Sequence, residues 1–403
     1  MPQQRRVLIL VENLPSPFDR RVWQEATTLR DAGYGVSIVC PTGKGCEEKF
    51  VSIDGIDIHR YDLPNEAEGA LGYLIEYSAA LFWTFLLSLR IRFDVIHACN
   101  PPDLFFLIGG FYKLFGKKFL FDHHDANPEL YEAKFGRRGF LWKVMVWVEK
   151  LTFRTADVSI ATNESYRRIA LTRGGMDPDK VFVVRSGPSL ERMKIQKSDE
   201  RLKQGRKFLV GYVGVMGKQE GIDLLLQSVA HLVKQRQDVH FALVGGGTSL
   251  EEMKALAREL GVADYVTFTG RAPDAELLAV LNTADVCVNP DVANEMNDIS
   301  TMNKIMEYMA LGKPIVQFDL TEGRYSAQDA SLYAKRNDPA DFACKIIELV
   351  DDPARRERMG EYGRRRVLDT LEWRHEVPRL LAAYEALWRR SPVGQGRASA
   401  SRP

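Results

Sequence analysis

Residues 297–314 carry side chains suited to binding a charged, hydroxylated ligand. Ser300, Asn303, Lys304 and Glu307 lie at positions i, i+3, i+4 and i+7, a spacing that places them along one side of a helix. An ammonium group such as that of Lys304 neutralises phosphate, and a carboxylate such as that of Glu307 accepts hydrogen bonds from a ribose diol. The pattern therefore indicates the binding of a nucleotide-like molecule.

The predicted helix begins at about Thr301, where Ser300 or Thr301 would cap it, and ends at Gly312. An irregular loop at residues 290–297 follows a predicted strand and is followed by Asp298, a further candidate for contact with the ligand. We therefore expect the start of the helix at the carboxyl edge of a sheet. Unpaired N–H groups at that point attract phosphate. A solvated polar stripe on a surface helix is the ordinary alternative, and the location favours binding.

A second candidate contact to phosphate lies in the loop after a predicted strand at residues 207–213. Gly214 and Gly217 allow a close approach of the backbone, and Lys218 follows them. A simple turn with a solvated lysine would have the same sequence. If this loop binds phosphate, Lys218 and Lys304 together neutralise a diphosphate.

The elements that must position these residues form an α/β pattern. Short apolar runs rich in β-branched residues alternate with helical patterns over almost the whole chain. This alternation predicts parallel sheets with helices on both faces. The predicted strands lie at 6–11, 35–40, 94–97, 118–122, 156–161 and 181–184, and then at 207–213, 239–244, 265–268, 285–289 and 314–318.

A polar stretch around residues 189–206 divides the chain into two Rossmann-like domains. Because ligands bind at the carboxyl ends of the strands in open α/β sheets, two such domains facing each other across a cleft would hold one substrate on each side. We expect a first domain over 1–190, a second over 205–370, a helix over 371–390 that crosses back to the first domain, and a disordered tail over 391–403.

Composition excludes several classes of protein. The 403 residues have a net charge of +1, so no overall field favours nucleic acid. The five cysteines contain no Cys-x-x-Cys pair, which argues against a zinc site and for reduced thiols in a cytoplasmic protein.

Residues 71–89 are rich in leucine and aromatic residues, with Glu76 as their single charge. This run falls short of the roughly 20 apolar residues that a membrane-spanning helix needs. Packing against the first sheet and a peripheral position on the inner face of the plasma membrane both stay open, and the same alternatives apply to residues 140–147.

The order and spacing of several short motifs resemble those of the retaining glycosyltransferases of family 4, which have the GT-B fold. The resemblance covers about residues 5–390, and no single motif carries it alone. The motifs lie at 94–97, 121–125, 156–162, 183–187, 214–223, 244–247 and 307–314.

The resemblance implies that Glu307 holds the ribose of a sugar nucleotide, as the second glutamate of a Glu-x7-Glu pair. The position of the first glutamate, which touches the transferred sugar in the family, is Ile299 here. Asp298 or Glu295 is the expected substitute. Because that glutamate touches the transferred sugar, its absence bears on which sugar is transferred more than on the type of reaction.

A second departure concerns the basic pair that the family places on the donor diphosphate, in a pattern like Gly-Arg-x4-Lys-Gly. Val215 and Glu220 occupy the arginine and lysine positions in this chain. Lys218 lies two residues away from the lysine position, and we expect it to reach the same phosphate oxygens.

In the first domain, the resemblance implies a catalytic histidine, and His124, followed by Asp125, matches it best. His97 is expected to contact the acceptor or to support the site. Arg20 and Arg21 are candidates for an anionic group on the acceptor, although ordinary arginines on a helix surface would explain them equally well.

These expectations combine into a retaining hexosyltransferase that uses a UDP- or GDP-type sugar donor and a glycan or lipid-linked acceptor, in bacterial surface polysaccharide assembly. An Asp-x-Asp motif is missing from the predicted strand ends, so neither metal nor cofactor is expected. The alternatives are a catalytically degenerate protein that binds a sugar nucleotide and a nucleotide-sugar 2-epimerase. A dinucleotide-dependent oxidoreductase is excluded, because the first strand–helix turn lacks Gly-x-Gly-x-x-Gly.

Overall fold

Two twisted sheets, each covered by helices on both faces, are present in the computed structural model, which describes residues 4–63 and 69–389. The predicted α/β class and its two Rossmann-like sheets are confirmed. The tail predicted at 391–403 lies outside the described residues. None of the helices described has the length and apolar character needed to cross a membrane.

The first sheet has the strand order β3-β4-β2-β1-β5-β6-β7-β8, and only β3 runs antiparallel to its neighbour. Its strands are β1 (Arg6–Leu10), β2 (Gly35–Pro41), β3 (Phe50–Ile53), β4 (Ile56–Tyr61), β5 (Val95–Cys99), β6 (Lys118–His123), β7 (Val158–Ala161) and β8 (Val181–Val183). Its helices are α1 (Arg20–Asp31), α2 (Gly69–Ser88), α3 (Phe106–Lys113), α4 (Asn127–Phe135), α5 (Phe140–Thr155) and α6 (Glu164–Thr172).

The second sheet has the order β11-β10-β9-β12-β13-β14, with every pair parallel. Its strands are β9 (Phe208–Val213), β10 (Val239–Val244), β11 (Val266–Gly270), β12 (Val286–Asn289), β13 (Ile315–Phe318) and β14 (Ser331–Ala334). The helices of this half are α7 (Ile222–Val233), α8 (Leu250–Glu259), α9 (Asp274–Thr283), α10 (Glu295–Ile299), α11 (Asn303–Ala310), α12 (Thr321–Ala327), α13 (Pro339–Asp351) and α14 (Pro353–Arg366).

The sequence prediction missed the β3–β4 hairpin and β14. Asp54 and Gly55 join β3 to β4 with φ values of 51° and 79°, as a two-residue turn of the primed type requires. An Asp-Gly pair between runs of alternating polarity was the signal that would have found the hairpin.

The predicted start of the helix at Thr301 is wrong. The helix α11 begins at Asn303, and Met302 before it provides no side-chain cap. Ser300 and Thr301 instead contact the first domain: the Ser300 hydroxyl lies 3.1 Å from that of Tyr166, and the Thr301 hydroxyl accepts a hydrogen bond from Asn163 at 2.9 Å. These two side chains therefore join the domains and do not cap the helix.

The last helix, α15 (Val377–Ala386), packs on the first domain. Leu380, Ala383 and Tyr384 are completely buried there, and the Tyr384 hydroxyl lies 2.8 Å from Nδ1 of His97. The segment before α15 passes very close to Gly187, just before the linker. A β-carbon added at Gly187 would lie 2.5 Å from the backbone nitrogen of Trp373.

This close crossing predicts that Gly187→Ala destabilises the protein. The added methyl group would overlap backbone atoms, which cannot rotate away, so we expect a loss of about 1–3 kcal/mol in the free energy of unfolding. Urea denaturation measures it. Gly139→Ala is the matched control, because a β-carbon there meets no atom within 4 Å. Equal stability of the two variants would contradict the analysis.

Candidate active site

The site lies where each sheet reverses its strand order, between β1 and β5 in the first sheet and between β9 and β12 in the second. Loops that leave adjacent strands in opposite directions open a crevice at such a point. The loops after β9 and β12 contain most of the predicted donor residues, and the segments after β1 and β6 contain Arg20 and His124.

Glu307 lies at the centre of a group of charges that connects the two domains. Its Oε1 accepts hydrogen bonds from Arg192 at 2.7 Å and from Arg20 of α1 at 3.0 Å. Arg192 also binds Asp274 through two nitrogens, at 2.6 and 2.8 Å. None of the described side chains donates to Oε2 of Glu307, and the side chain is 14% exposed, so this oxygen is left for a ligand.

Arg192 is a site residue that sequence reasoning missed. It lies in the polar linker, and its two acidic partners are 82 and 115 residues away along the chain. The sequence offers no signal that distinguishes it from the other basic residues of the linker. Arg20, predicted as an acceptor contact, instead reaches across the cleft to Glu307.

Lys304 is paired with two carboxylates. Its Nζ donates to Asp291 at 2.8 Å and to Glu220 at 3.1 Å, and its side chain is 11% exposed. Burial, together with the charge of Glu220, raises the pKa of Asp291 to about 7, although Lys304 opposes the shift. The resemblance implies a lysine at position 220. Glu220 stands there instead and binds Lys304 of α11.

Two glycine loops pack backbone to backbone beside Lys304. Gly245 has a φ of 143°, and a β-carbon there would lie 1.8 Å from the carbonyl oxygen of Gly214. A β-carbon at Gly214 would lie 2.4 Å from the Tyr212 hydroxyl and 3.4 Å from Nζ of Lys304. Lys218 is exposed on the same loop, whereas the atoms nearest to a β-carbon at Gly217 belong to the flexible side chain of Gln219.

His124 is positioned by the loops that follow β5 and β6. Its backbone N–H donates to the Asn100 side chain at 2.6 Å. Its Nε2 makes a very short contact with Asp122 and lies 2.9 Å from Nε of Arg21. With a side chain 13% exposed, His124 is the part of this group that reaches the cleft.

Behind His124 lies a buried network of ionisable groups. Arg21 binds Asp122 at 2.9 Å and Glu25 at 3.1 Å, and it donates to the Val184 carbonyl at 2.8 Å. Burial raises the pKa of Glu25 well above its usual range. Although burial opposes it, the charges of Arg21 and His124 hold the pKa of Asp122 well below its usual range. The same network therefore shifts the pKa values of these two carboxyl groups in opposite directions.

The prediction that Arg21 and His97 contact the acceptor is wrong, because both side chains are buried in this network. The side chain of Arg21 is 7% exposed and that of His97 is completely buried, so neither can touch an acceptor in the cleft. Burial also lowers the pKa of His97, which lies between Asp122 and the Tyr384 hydroxyl. Both residues support Asp122, and through it His124.

The expected substitutes for the missing glutamate have other partners. The Asp298 carboxylate accepts from the Thr321 backbone N–H at 3.0 Å and from Arg336 at 2.7 Å, so it binds the start of α12. Glu295 pairs with Arg138 of the first domain. Ile299 packs against a buried apolar cluster of the first domain. An apolar contact between domains thus replaces the carboxylate, and Asn303 is exposed at the start of α11.

One group of side chains in the described part of the chain has the donor atoms to hold a metal ion. Ligand atoms of Glu25, His97, Cys99 and Asp122 all lie within 4.8 Å of one another. The guanidinium of Arg21 already binds both carboxylates. A metal ion would have to displace this cation, so the residues do not fit a metal centre.

Comparison with known families matches both halves of the chain. Residues 19–192 match the family described as Glycosyltransferase Family 4. Residues 207–352 match the family described as Glycosyl transferases group 1.

Several curated proteins are similar over part of the chain. A 2-deoxystreptamine glucosyltransferase of Streptomyces kanamyceticus is 29% identical over 59% of this chain and 60% of its own length. A D-inositol 3-phosphate glycosyltransferase of Thermomonospora curvata is 30% identical over 57% of both chains. The chain thus matches less than two thirds of the length of these relatives.

Solved structures are similar over nearly the whole chain. Sucrose-phosphate synthase from Thermosynechococcus elongatus superposes with a TM-score of 0.76, 19% identity and coverage of 96% of this chain and 99% of that one. The HepE protein of Anabaena, in complex with UDP-glucose, has a TM-score of 0.72, 15% identity and coverage of 94% and 99%. These likenesses show a shared GT-B fold.

The buried network predicts that Arg21→Met destabilises the protein by about 3–5 kcal/mol, because it leaves the Asp122 carboxylate buried without its cation. Arg20→Met is the matched control: its side chain is 57% exposed, and we expect a change within about 0.5 kcal/mol. Urea unfolding of both variants measures the difference. Similar losses in the two variants would show that Asp122 does not need Arg21.

Proposed function

The chain belongs to glycosyltransferase family 4, and we propose that it is a hexosyltransferase that moves a sugar from a nucleoside diphosphate sugar to an acceptor between its two Rossmann-like domains. The observation that carries the proposal is the position of Glu307, at the strand reversal of the second sheet, with Oε2 left for a ligand. The complex of the Anabaena relative with UDP-glucose supports a UDP-type donor, and a GDP-type donor is the alternative.

In this proposal, the ribose diol donates hydrogen bonds to Glu307, and the diphosphate lies at the start of α11 beside Lys304 and Lys218. The unpaired N–H groups of that helix and the two ammonium groups stabilise the charge that develops on the leaving phosphate. They take the place of a divalent metal. Because Lys304 is paired with Asp291 and Glu220, it stabilises the charge on the leaving phosphate less than a free lysine would. The helix N-terminus and Lys218 then provide more of this stabilisation.

His124 approaches the reacting centre from the first domain. Fixed by Asp122, it donates a hydrogen bond to a hydroxyl of the transferred sugar or stabilises developing charge. The acceptor hydroxyl attacks on the face from which the diphosphate leaves, and the leaving phosphate takes its proton. This route retains the configuration at the anomeric carbon.

A catalytically degenerate protein that binds a sugar nucleotide is the second candidate. Two observations favour it: Ile299 packs against the first domain where the family has a carboxylate, and Lys304 is neutralised by its partners. The two candidates differ in a single property, because only a transferase turns over its donor.

The outer face of the first domain supports a lipid-linked acceptor. The helices α2, α3 and α5 are neighbours: the rings of Phe85 and Phe111 are 5.3 Å apart, and Lys113 donates to the Thr155 carbonyl at 2.7 Å. Most of the large apolar side chains that are exposed in the described residues lie on these helices or within two residues of their ends. They are Ile75, Phe82, Trp83, Leu89, Leu107, Phe111, Leu114, Phe115, Phe140, Leu141, Val144 and Trp147.

The exposed charged side chains around this apolar face are basic. Every aspartate and glutamate between residues 75 and 155 is buried or half-buried, whereas Arg90, Lys143 and Arg154 are exposed. An apolar face with a basic surround suits the surface of an anionic bilayer. We therefore include in the proposal a peripheral position on the inner face of the plasma membrane, a lipid-linked or glycan acceptor, and a role in surface polysaccharide assembly.

A screen of UDP-, GDP- and ADP-sugars by thermal shift tests the donor site. We expect one of them to raise the melting temperature equally with and without EDTA. Glu307→Gln should weaken that ligand about tenfold to a hundredfold, because it removes a charged acceptor. Glu276→Ala, an exposed carboxylate on α9, is the control. A well-folded protein that responds to no sugar nucleotide would contradict the proposal.

Donor binding should strengthen as the pH falls. With a pKa of about 7, Asp291 is protonated below that pH, and Glu220 alone then offsets Lys304. The affinity for a sugar nucleotide, whose diphosphate charge is constant in this range, should rise by up to about tenfold between pH 8 and 6. Calorimetry measures it. Asp291→Asn should remove the pH dependence, and an unchanged dependence in this variant would refute the assignment to Asp291.

Sedimentation with phosphatidylglycerol vesicles tests the membrane face. We expect binding that weakens with salt and falls about tenfold or more when Phe115, Phe140 and Trp147 are all changed to serine. Phe50→Ser with Ile195→Ser is the control, because these large apolar side chains are also exposed but lie elsewhere on the surface. Binding equal to that of phosphatidylcholine vesicles, or unchanged in the triple variant, would rule out this surface.

A further inference from the structure

A cavity separate from the residues of the cleft lies at the outer edge of the first sheet. It has a volume of about 450 Å³ and is lined by residues of α6, β8 and α15, and by Tyr325 of α12. The first three elements pack in the first domain, whereas α12 follows β13 in the second sheet. The cavity therefore spans the junction between the domains.

The ionisable groups that line the cavity are mainly cationic. Arg167 of α6, Arg185 after β8 and Arg379 of α15 line it, and Glu164 is the one carboxylate among the described lining residues. Glu164 lies 3.6 Å from Arg167. Three guanidinium groups from three elements converge on a space that the proposed transfer reaction does not use.

Arg185 is the residue that points to a ligand. Its side chain is only 3% exposed, and its sole ion pair in the described structure is a long one, 3.4 Å from Nη1 to Glu322. Its Nη2 is buried and has no hydrogen-bond partner among the described residues, while the Tyr325 ring covers the guanidinium at 4.0 Å. Because a buried donor without an acceptor costs free energy, an acceptor that enters the cavity beside Tyr325 would be stabilised.

Two buried carboxylates, those of Glu376 and Glu322, pair with the arginines of the cavity. Glu376 is completely buried, and it accepts from Arg379 at 2.8 Å and from the Arg185 backbone N–H at 3.0 Å. Glu322 accepts from the Ser165 hydroxyl at 2.6 Å. Glu376 holds the guanidinium of Arg379 and Glu322 that of Arg185. Neither carboxylate is among the residues that line the cavity, so three guanidinium groups and one carboxylate, that of Glu164, face a ligand there.

We propose that this cavity binds a small anion of the phosphomonoester or pyrophosphate class. Its volume lies in the range of small-molecule sites, and guanidinium groups match pairs of phosphate oxygens in geometry and charge. A ligand on Arg185 would contact the same arginine that Glu322 of the second domain contacts. Occupancy would therefore change the contact between α12 and the first domain, and with it the relative position of the domains.

Titration calorimetry with inorganic pyrophosphate tests the proposal. A variant with Arg167→Ala and Arg379→Ala should bind pyrophosphate about tenfold or more weakly than the unmodified protein, because two charge-assisted contacts are lost. Arg168→Ala removes an exposed arginine that lies next to Arg167 and does not line the cavity, and it should bind normally. Circular dichroism checks that each variant is folded.

Pyrophosphate could also enter the cleft beside Lys218 and Lys304, so a variant with Lys218→Ala and Lys304→Gln distinguishes the two sites. Binding that persists in this variant and is lost in the Arg167/Arg379 variant supports the cavity. Binding that is lost in the Lys218/Lys304 variant alone, or that is weakened equally by Arg168→Ala, or that is absent from the unmodified protein, would overturn the proposal.

Discussion

The ion pair between Arg21 and Asp122 is the interaction on which the first domain and its half of the site depend. It joins α1 to β6 in an environment where both side chains are almost completely buried. The same guanidinium binds Glu25, contacts His124 and reaches the carbonyl that follows β8. Because this cation holds the pKa of Asp122 well below its usual range against the effect of burial, one arginine supports both the local packing and the position of the histidine that faces the cleft.

In the second half of the site, a single carboxylate, that of Glu307, is shared between two arginines. One oxygen of Glu307 binds a guanidinium of α1 and another of the linker, so three separate segments meet at a single carboxylate. These groups are partly exposed, and solvent weakens such pairs. They hold the domains together less firmly than the buried contacts of α15 do, which suits the proposed reaction, in which the cleft admits two substrates and releases two products.

The sequence predicts most of this architecture because the alternation of apolar strands and amphipathic helices is a local property. The spacing of Lys304 and Glu307 on one helix is local too. Arg192 could not be predicted, because its acidic partners are 82 and 115 residues away. The sequence also could not show which of the neighbouring Arg20 and Arg21 is buried, because that depends on Asp122, a hundred residues further along. The contact of Ile299 with the first domain could not be predicted either, because it joins segments that are far apart in the sequence.

Binding of UDP and of 2′,3′-dideoxy-UDP to the unmodified protein and to Glu307→Gln, measured by calorimetry, tests the central claim most directly. If Glu307 holds the ribose diol, removal of the two hydroxyls should weaken binding to the unmodified protein about tenfold or more and should have little effect in the variant. An equal loss in both proteins would show that Glu307 does not contact the ribose, and the assignment of the cleft would then be wrong.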